Sequence, residues 1–309
     1  MSRHTNPGEG YNAPGRGILP DILRNWAQTA LHPANARFRH YNQAMPSRDR
    51  SFRVEAVVLR HSDWGEADRL LWLFTREMGK VKAVAKGVRK LRSRKAGHLE
   101  PQTRVNLLLA RGRDILLVTQ AETVEAFLPL REDLKLWEYA CHIIELLDRF
   151  TYEEDENRAL YRLLVDTLGR LARQPQAELV VHYYEIRLLD LLGYRPHLFH
   201  CANCSKEIQP VDQYFSTDQG GVLCPSCGRE VKGARPITMS ALKYLRHFQR
   251  SSFSEAARAR IPHNVMREIE ALMEYYLTYL LEQGLNSLAF IRRMRRGEMS
   301  NKERDQKII

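Results

Sequence analysis

Four of the five cysteines form two Cys-x-x-Cys pairs, Cys201/Cys204 and Cys224/Cys227, with nineteen residues between the pairs. Each short turn can present two thiolates to one ion, and two pairs at this separation have the spacing of a tetrahedral zinc site. Four cysteines fill the coordination sphere and leave no position for water or substrate, so the expected zinc ion is structural. Pro225 inside the second pair and Gly228 just after it suit a tight knuckle. Between the pairs, Tyr214-Phe215-Ser216 and Val222-Leu223 flank Asp218-Gln219-Gly220-Gly221, a hairpin signal. A module this small cannot bury a sufficient core. Metal binding would then supply its folding free energy, on the order of 10–16 kcal/mol apparent. Two disulfides or four free thiols are the competing reading. Cys141 lies on an apolar helical face and is expected to be core packing. His200 adjoins a ligand but is not expected to be one, because the sphere is already filled.

A second cluster is basic. Between Gly79 and Leu99 stand Lys80, Lys82, Lys86, Arg89, Lys90, Arg92, Arg94 and Lys95, with no acidic residue among them. Lys80, Lys82 and Lys86 alternate with Val81, Ala83 and Ala85, so on a strand the lysines share one face, with neighbours about 6.5 Å apart. Residues 87–97 read as a basic loop. Such a strip suits sequence-independent nucleic-acid binding driven by counterion release. A solvated edge strand guarded by lysines is the plainer alternative. Trp64 and Trp72 are candidate stacking surfaces, although Trp72, within Leu70–Phe74, reads better as core. Arg292-Arg293-Met294-Arg295-Arg296 is a second, weaker basic run.

Other chemistry is missing. The sequence has no G-x-S-x-G, H-E-x-x-H or G-x-G-x-x-G, and Gly79-Lys80 lacks the upstream glycine of a phosphate-binding loop. No catalytic residue is therefore expected. Glu66 and Asp68 would share a strand face and suggest a metal pair, but Arg60 and Arg69 nearby favour structural ion pairs. The 309 residues carry a net charge of +11. The positive excess sits at both ends of the chain, while residues 131–200 are net acidic, which favours a localised polyanion-binding surface. No apolar run reaches 18 residues and no apolar leader opens the chain, so a cytoplasmic protein is expected.

These groups need elements to hold them. Residues 1–50 are rich in Pro, Gly, Asn and Arg and are expected to be poorly ordered, with one helical turn near Ile22–Leu31 and an alternative start at Met45. Residues 51–128 contain five short strand signals, at Phe52–His61, Arg69–Thr75, Gly79–Lys86, Arg104–Ala110 and Ile115–Ala121, with no intervening helices, which fits a small barrel. After Pro129 the period becomes helical. One face carries Leu134, Trp137, Cys141, Ile144 and Leu147. A second carries Leu160, Leu163, Leu164, Thr167, Leu168 and Leu171. A third runs from Leu179 to Leu192 and stops at Gly193. Tyr152–Asn157 is an acidic connection. The expected division is helices over 129–200, a zinc module over 201–235, further helices over 236–291 and a basic tail over 292–309. Thr238 caps one of these helices, and Pro262 opens another that ends at Gly284.

Local motifs add a resemblance. Val57-Val58-Leu59-Arg60, then Gly65-Glu66-Ala67-Asp68-Arg69-Leu70, Phe74-Thr75 and Gly79-Lys80 come first. Ala85-Lys86-Gly87-Val88-Arg89-Lys90, Leu99-Glu100-Pro101, Leu192-Gly193-Tyr194-Arg195-Pro196 and Ser287-Leu288 follow. Across about residues 50–291 the chain resembles the RecO family of bacterial recombination mediators. Residues 1–44 have no counterpart in it. The resemblance implies an α+β protein in which a five-stranded OB-fold barrel precedes a helical domain with an inserted zinc module. It implies binding of single- and double-stranded DNA and annealing of complementary strands. It also implies help, with RecR and sometimes RecF, in loading RecA onto DNA coated by single-stranded-DNA-binding protein, whose acidic C-terminal tail is recognised. A nucleoid location follows from such partners. Lys80, Lys82, Lys86, Arg89 and Lys90 would be the principal DNA contacts. A zinc-ribbon transcription regulator and a zinc-containing DNA-repair enzyme are the other readings compatible with the motifs.

Overall fold

The computed structural model describes residues 51–173 and 175–282. The expected turn at Ile22–Leu31, the start at Met45, Gly284, Ser287-Leu288 and the run from Arg292 to Arg296 lie outside the described residues.

Five strands come first: β1 (Ser51–Trp64), β2 (Asp68–Thr75), β3 (Gly79–Ala85), β4 (Arg104–Arg111) and β5 (Leu116–Glu125). They close in the order β1-β2-β3-β5-β4. The long β1 makes closure possible. Its first half pairs with β4 and its second half with β2, with an irregularity between Val58 and Arg60. The last seam is short and parallel, Ala83 and Val84 of β3 against Leu116 and Leu117 of β5. Alternation sends Val54, Ala56, Val58, Leu71, Leu73, Val81, Ala83, Val105, Leu107 and Leu109 into one interior cluster.

The outer face of the barrel is also apolar in places. Val57, Leu59 and Phe74 point away from the barrel interior and join a second core made by the helices. These are α1 (Pro129–Glu132), α2 (Leu134–Phe150), α3 (Arg158–Leu171), α4 (Ala177–Leu191), α5 (Pro225–Glu230), α6 (Met239–Arg250), α7 (Phe253–Ala256) and α8, residues 263–282. Side-chain caps open α2, α3 and α6. Asp133 accepts from the Leu136 amide, Asn157 from Leu160 and Thr238 from Ala241. The Thr238 cap matches its sequence signal.

α4 is buried nearly all round, from Leu179 through Leu189 apart from Arg187, as expected of a central helix. It carries a buried carboxylate, Glu185, which pairs with His142 at 2.7 Å and His182 at 2.8 Å. Burial works against its charge, but the two histidines outweigh burial and bring the carboxyl down to about 2.

The expected face of α2 needs correction. Leu134 is 74% exposed, and the buried stripe is Ala140, Ile143, Ile144 and Leu147. With Asp133 as the cap, Leu134 sits in the first helical position, and the stripe is set by the later turns that pack on α4.

Between α4 and α6 lies a three-stranded sheet of β6 (Gln213–Ser216), β7 (Gly221–Leu223) and β8 (Arg235–Ile237), in the order β7-β6-β8. β6 and β7 form the expected hairpin. Phe215, Val222, Leu223 and Ile237 belong to the helical core, and the Phe215 ring meets Tyr276 of α8 edge-on at 5.3 Å. The module thus borrows its apolar support from the helices around it.

Candidate metal centre and nucleic-acid interface

The sulfur atoms of Cys201, Cys204, Cys224 and Cys227 all lie within 4.8 Å of one another. Cys204 and Cys224 Sγ are 3.9 Å apart, far beyond a disulfide bond, and all five cysteines are free thiols. The disulfide reading is therefore set aside. Two knuckles bring the thiols together. In the first, the Ser205 amide donates to the Cys201 carbonyl at 2.9 Å. In the second, Pro225 opens the short α5, and the Gly228 amide donates to the Cys224 carbonyl at 2.8 Å. A Cβ at Gly228 would lie 2.4 Å from the Tyr214 ring, so the glycine lets the knuckle close on β6.

The Cys201 thiol is brought down to about 6, because amide donors from Cys204, Cys224 and Asn203 outweigh the opposing effect of burial. Donors converging on Cys201 favour the thiolate that a metal requires, whereas at Cys227 the Asn203 hydrogen bond is outweighed by the neighbouring sulfurs and the thiol is pushed up. The residues fit a four-thiolate metal ion. His200 stands outside the cluster, paired in a β-bridge with Glu207. Cys141 is half-buried on α2, where Gln102 donates to its sulfur at 3.5 Å and burial raises its thiol to about 11. It belongs to neither apolar cluster of the described residues, so the expected core-packing role is corrected to a half-buried position beside Gln102.

The basic strip divides in two. The β2–β3 register sets Lys82 opposite Trp72 and Lys80 opposite Phe74, and Phe74 is fully buried against the helices. Lys80 is only 8% exposed. Its ammonium donates to the Asp148 carbonyl at 2.5 Å and pairs with the Asp148 carboxylate at 3.0 Å, in the last turn of α2. Carbonyls at a helix C-terminus favour a cation. Lys82 pairs with Glu153 at 2.5 Å. The loop bearing Glu153 lies directly on β3. The Glu154 amide donates to the Lys80 carbonyl at 2.8 Å, and a Cβ at Gly79 would lie 1.9 Å from the Asp155 carbonyl oxygen. The expectation that Lys80 and Lys82 are open phosphate contacts is therefore corrected for Lys80. For Lys82 it is narrowed, because the side chain keeps some exposure but has a carboxylate partner. Trp72 is half-buried in the same junction, with the Arg60 guanidinium 3.5 Å above its ring.

The second half of the strip is open. Lys86, Arg89, Lys90, Arg92 and Arg94 are exposed, and among the described residues only Arg89 has an acidic partner, Asp63 at 3.3 Å. Leu91 at the tip is fully exposed. Lys95 turns back and donates to the carbonyls of Lys86 at 3.2 Å and Val118 at 2.9 Å, which staples the loop to β5. Burial lowers its pKa. Trp64, 53% exposed, stands at the end of β1.

Residues beyond the strip hold this loop in place. The Asp68 carboxylate accepts the Gly87 amide at 2.7 Å, the Ala67 carbonyl accepts the Arg89 amide at 2.9 Å, and Arg69 pairs with Glu100 at 2.9 Å. The expected pairing of Glu66 and Asp68 with Arg60 and Arg69 is not found among the described residues, although both arginines make ion pairs. Their partners are Asp148, Glu100 and Asp63, and Glu66 and Asp68 are not among them. Among the described residues Glu66 and Asp68 join no metal cluster. The anchoring roles of Asp68 and Glu100, and the covering roles of Asp148 and Glu153, escaped the sequence reading. The dense acids of residues 148–156 were the available signal.

A five-stranded barrel with a stapled basic loop, joined to a helical body holding four convergent thiols, defines a two-part α+β protein with a metal-competent module. Its family follows from comparison. The model described as Recombination protein O N terminal matches residues 50–127, and Recombination protein O C terminal matches residues 131–289. The DNA repair protein RecO of Roseiflexus sp. (strain RS-1) is 41% identical over 79% of this chain and 86% of its own. The protein of the same name in Dehalococcoides mccartyi (strain CBDB1) is 36% identical over 80% of this chain and 98% of its own. The chain belongs to the RecO family of DNA repair proteins. Among the described residues no helix is long and apolar enough to cross a membrane.

Proposed function

We propose that the chain is a non-enzymatic recombination mediator of DNA repair. It binds single- and double-stranded DNA, anneals complementary strands, and assists RecA loading onto DNA coated by single-stranded-DNA-binding protein. RecR, the acidic C-terminal tail of the coat protein and, in some assemblies, RecF are its protein partners, in the cytoplasm at the nucleoid. The barrel acts as an OB-fold. The observation that carries the reading is the exposed loop, where Lys86, Arg89, Lys90, Arg92 and Arg94 have one carboxylate partner between them among the described residues. Annealing needs no catalytic group. Cations neutralise the repulsion between two phosphate backbones and hold the strands together while bases pair. The ion at Cys201, Cys204, Cys224 and Cys227 is zinc, and four thiolate ligands suit a structural role.

The test is annealing of complementary oligonucleotides pre-coated with single-stranded-DNA-binding protein, with its C-terminal tail intact or removed. Faster annealing that depends on the tail is expected. No acceleration with either form would overturn the mediator reading.

A further inference from the structure

A second group of cations lies far along the chain from the barrel loop. Lys243, Arg246 and Arg250 occupy positions i, i+3 and i+7 of α6 and, with His247 beside them, line one side of a cleft of about 670 Å³. The opposite side comes from the segment around the first cysteine knuckle, where Phe199, Ile208 and Glu207 line the cleft. Among the described residues no carboxylate lies within ion-pair distance of Lys243, Arg246 or Arg250. Glu207 is the single carboxylate in the lining.

The arginines are held close together. The Arg250 guanidinium sits 3.6 Å from the centre of the Phe199 ring, and that of Arg246 sits 5.1 Å from it. Arg246 Nε donates to the Leu198 carbonyl at 2.8 Å, which fixes its place. Burial first, and the charge of Arg250 second, lower the pKa of Arg246. Like charges gathered on one ring are costly, Glu207 offsets part of that cost at Arg246, and an anionic ligand would relieve more of it.

We infer that this cleft is a second single-stranded DNA site, separate in sequence from the barrel loop. The inference rests on the DNA-binding function proposed above. Three cations, Lys243, Arg246 and Arg250, span about 10 Å over seven residues of helix. That length matches roughly three phosphates of a stacked strand at about 3.4 Å each. A line of cations suits a repeating polyanion better than a single terminal carboxylate. The apolar side of the cleft offers a surface to unpaired bases, which a duplex would keep inside its stack. Annealing brings two strands to one protein, and the cleft gives the second strand a place of its own. The first cysteine knuckle shapes this site, since the Ile208 amide donates to the Phe199 carbonyl at 3.1 Å and the Cys201 amide to the Lys206 carbonyl at 2.8 Å.

The experiment uses the full chain and a long fluorescent oligo-dT, with affinity measured over a series of salt concentrations. Lys243→Gln/Arg250→Gln changes two exposed side chains. It should lower the slope of log affinity against log salt by about 1.4, at roughly 0.7 per single-strand phosphate contact, with the melting temperature unchanged. Oligo-dT carrying 5-iodouracil should photo-crosslink to the peptides containing Phe199 or Tyr244, which also lines the cleft, as well as to the barrel loop. An unchanged slope, with crosslinks confined to residues 86–95, would overturn the second site and leave the proposed function standing. If variants at both the loop and the cleft leave the slope unchanged, the DNA-binding reading itself falls. If the double variant instead loses a glutamate-rich peptide while its oligo-dT slope stays the same, the cleft is a peptide site and the inference is wrong.

Discussion

Lys80 and Lys82 continue, in sequence, the run that ends at Lys95, yet the two halves of that run face different surroundings. Lys80 lies under the last turn of α2 with Asp148 as its counter-charge, and Lys82 meets Glu153. A few residues later the chain leaves the sheet, and five cations stand exposed with a single acidic partner between them among the described residues. The neighbours across the sheet make the difference. Lys80 and Lys82 are registered against Phe74 and Trp72, outward apolar residues that the helical body covers. A lysine beside a covered apolar patch must be covered with it, and a buried charge requires a partner. The loop has no such neighbour. Its anchors, Asp68, Lys95 and the Arg69–Glu100 pair, hold the backbone and leave the cations free. The first half therefore joins two parts of the molecule, while the second half is available to a polyanion.

This contrast can be broken in three ways. The largest effect is expected at the loop. Arg89→Gln/Lys90→Gln/Arg92→Gln/Arg94→Gln should weaken single-stranded DNA binding on the order of 10²-fold at moderate salt, from four lost contacts. Its urea midpoint should stay near that of the unaltered chain, because exposed substitutions are close to neutral. A large loss of stability would show that the loop is structural after all.

Next is Lys80→Ala. Asp148 would keep Arg60 at 3.4 Å but lose its closest cation. Breaking a buried pair costs roughly 3 kcal/mol at the low end, read from urea unfolding. Wild-type stability would mean that Lys80 is not committed to α2.

The smallest effect is at Lys82→Ala. Lys82 and Glu153 are both partly exposed, so the change should cost under about 1 kcal/mol in the same assay. A cost as large as that of Lys80 would show that the acidic loop is locked more firmly than its exposure suggests.

Much of this was legible in the sequence. Two Cys-x-x-Cys pairs converge as their spacing requires, because each knuckle is closed by local backbone geometry. Strand alternation in the barrel was legible for the same reason, and so was the hairpin of β6 and β7. The α2 face was misread because its stripe is set by tertiary contact with α4, which leaves Leu134 in solvent. The split of the basic strip was hidden for a similar reason. Alternation assigned Lys80 and Lys82 to the outer face of β3, but whether an outer face meets water or another element depends on residues far along the chain, Asp148 and Glu153. The apolar outward residues Val57, Leu59 and Phe74 were the clue that part of the barrel is covered on both sides. The cleft beside α6 was missed because its cations are spread at helical spacing and become a cluster only when Phe199 is brought beside them.

The central claim, that equal charges in one strip have opposite roles, is tested most directly by measuring the salt dependence of oligo-dT affinity for two variants side by side. Lys80→Ala/Lys82→Ala should keep the slope of the unaltered chain while folding less stably. The loop variant should keep its stability and lose about 2.8 from the slope, at roughly 0.7 per contact. A slope that falls for the Lys80/Lys82 pair and stays unchanged for the loop would contradict the account, placing DNA on β3 and making the cover by Asp148 and Glu153 irrelevant to binding.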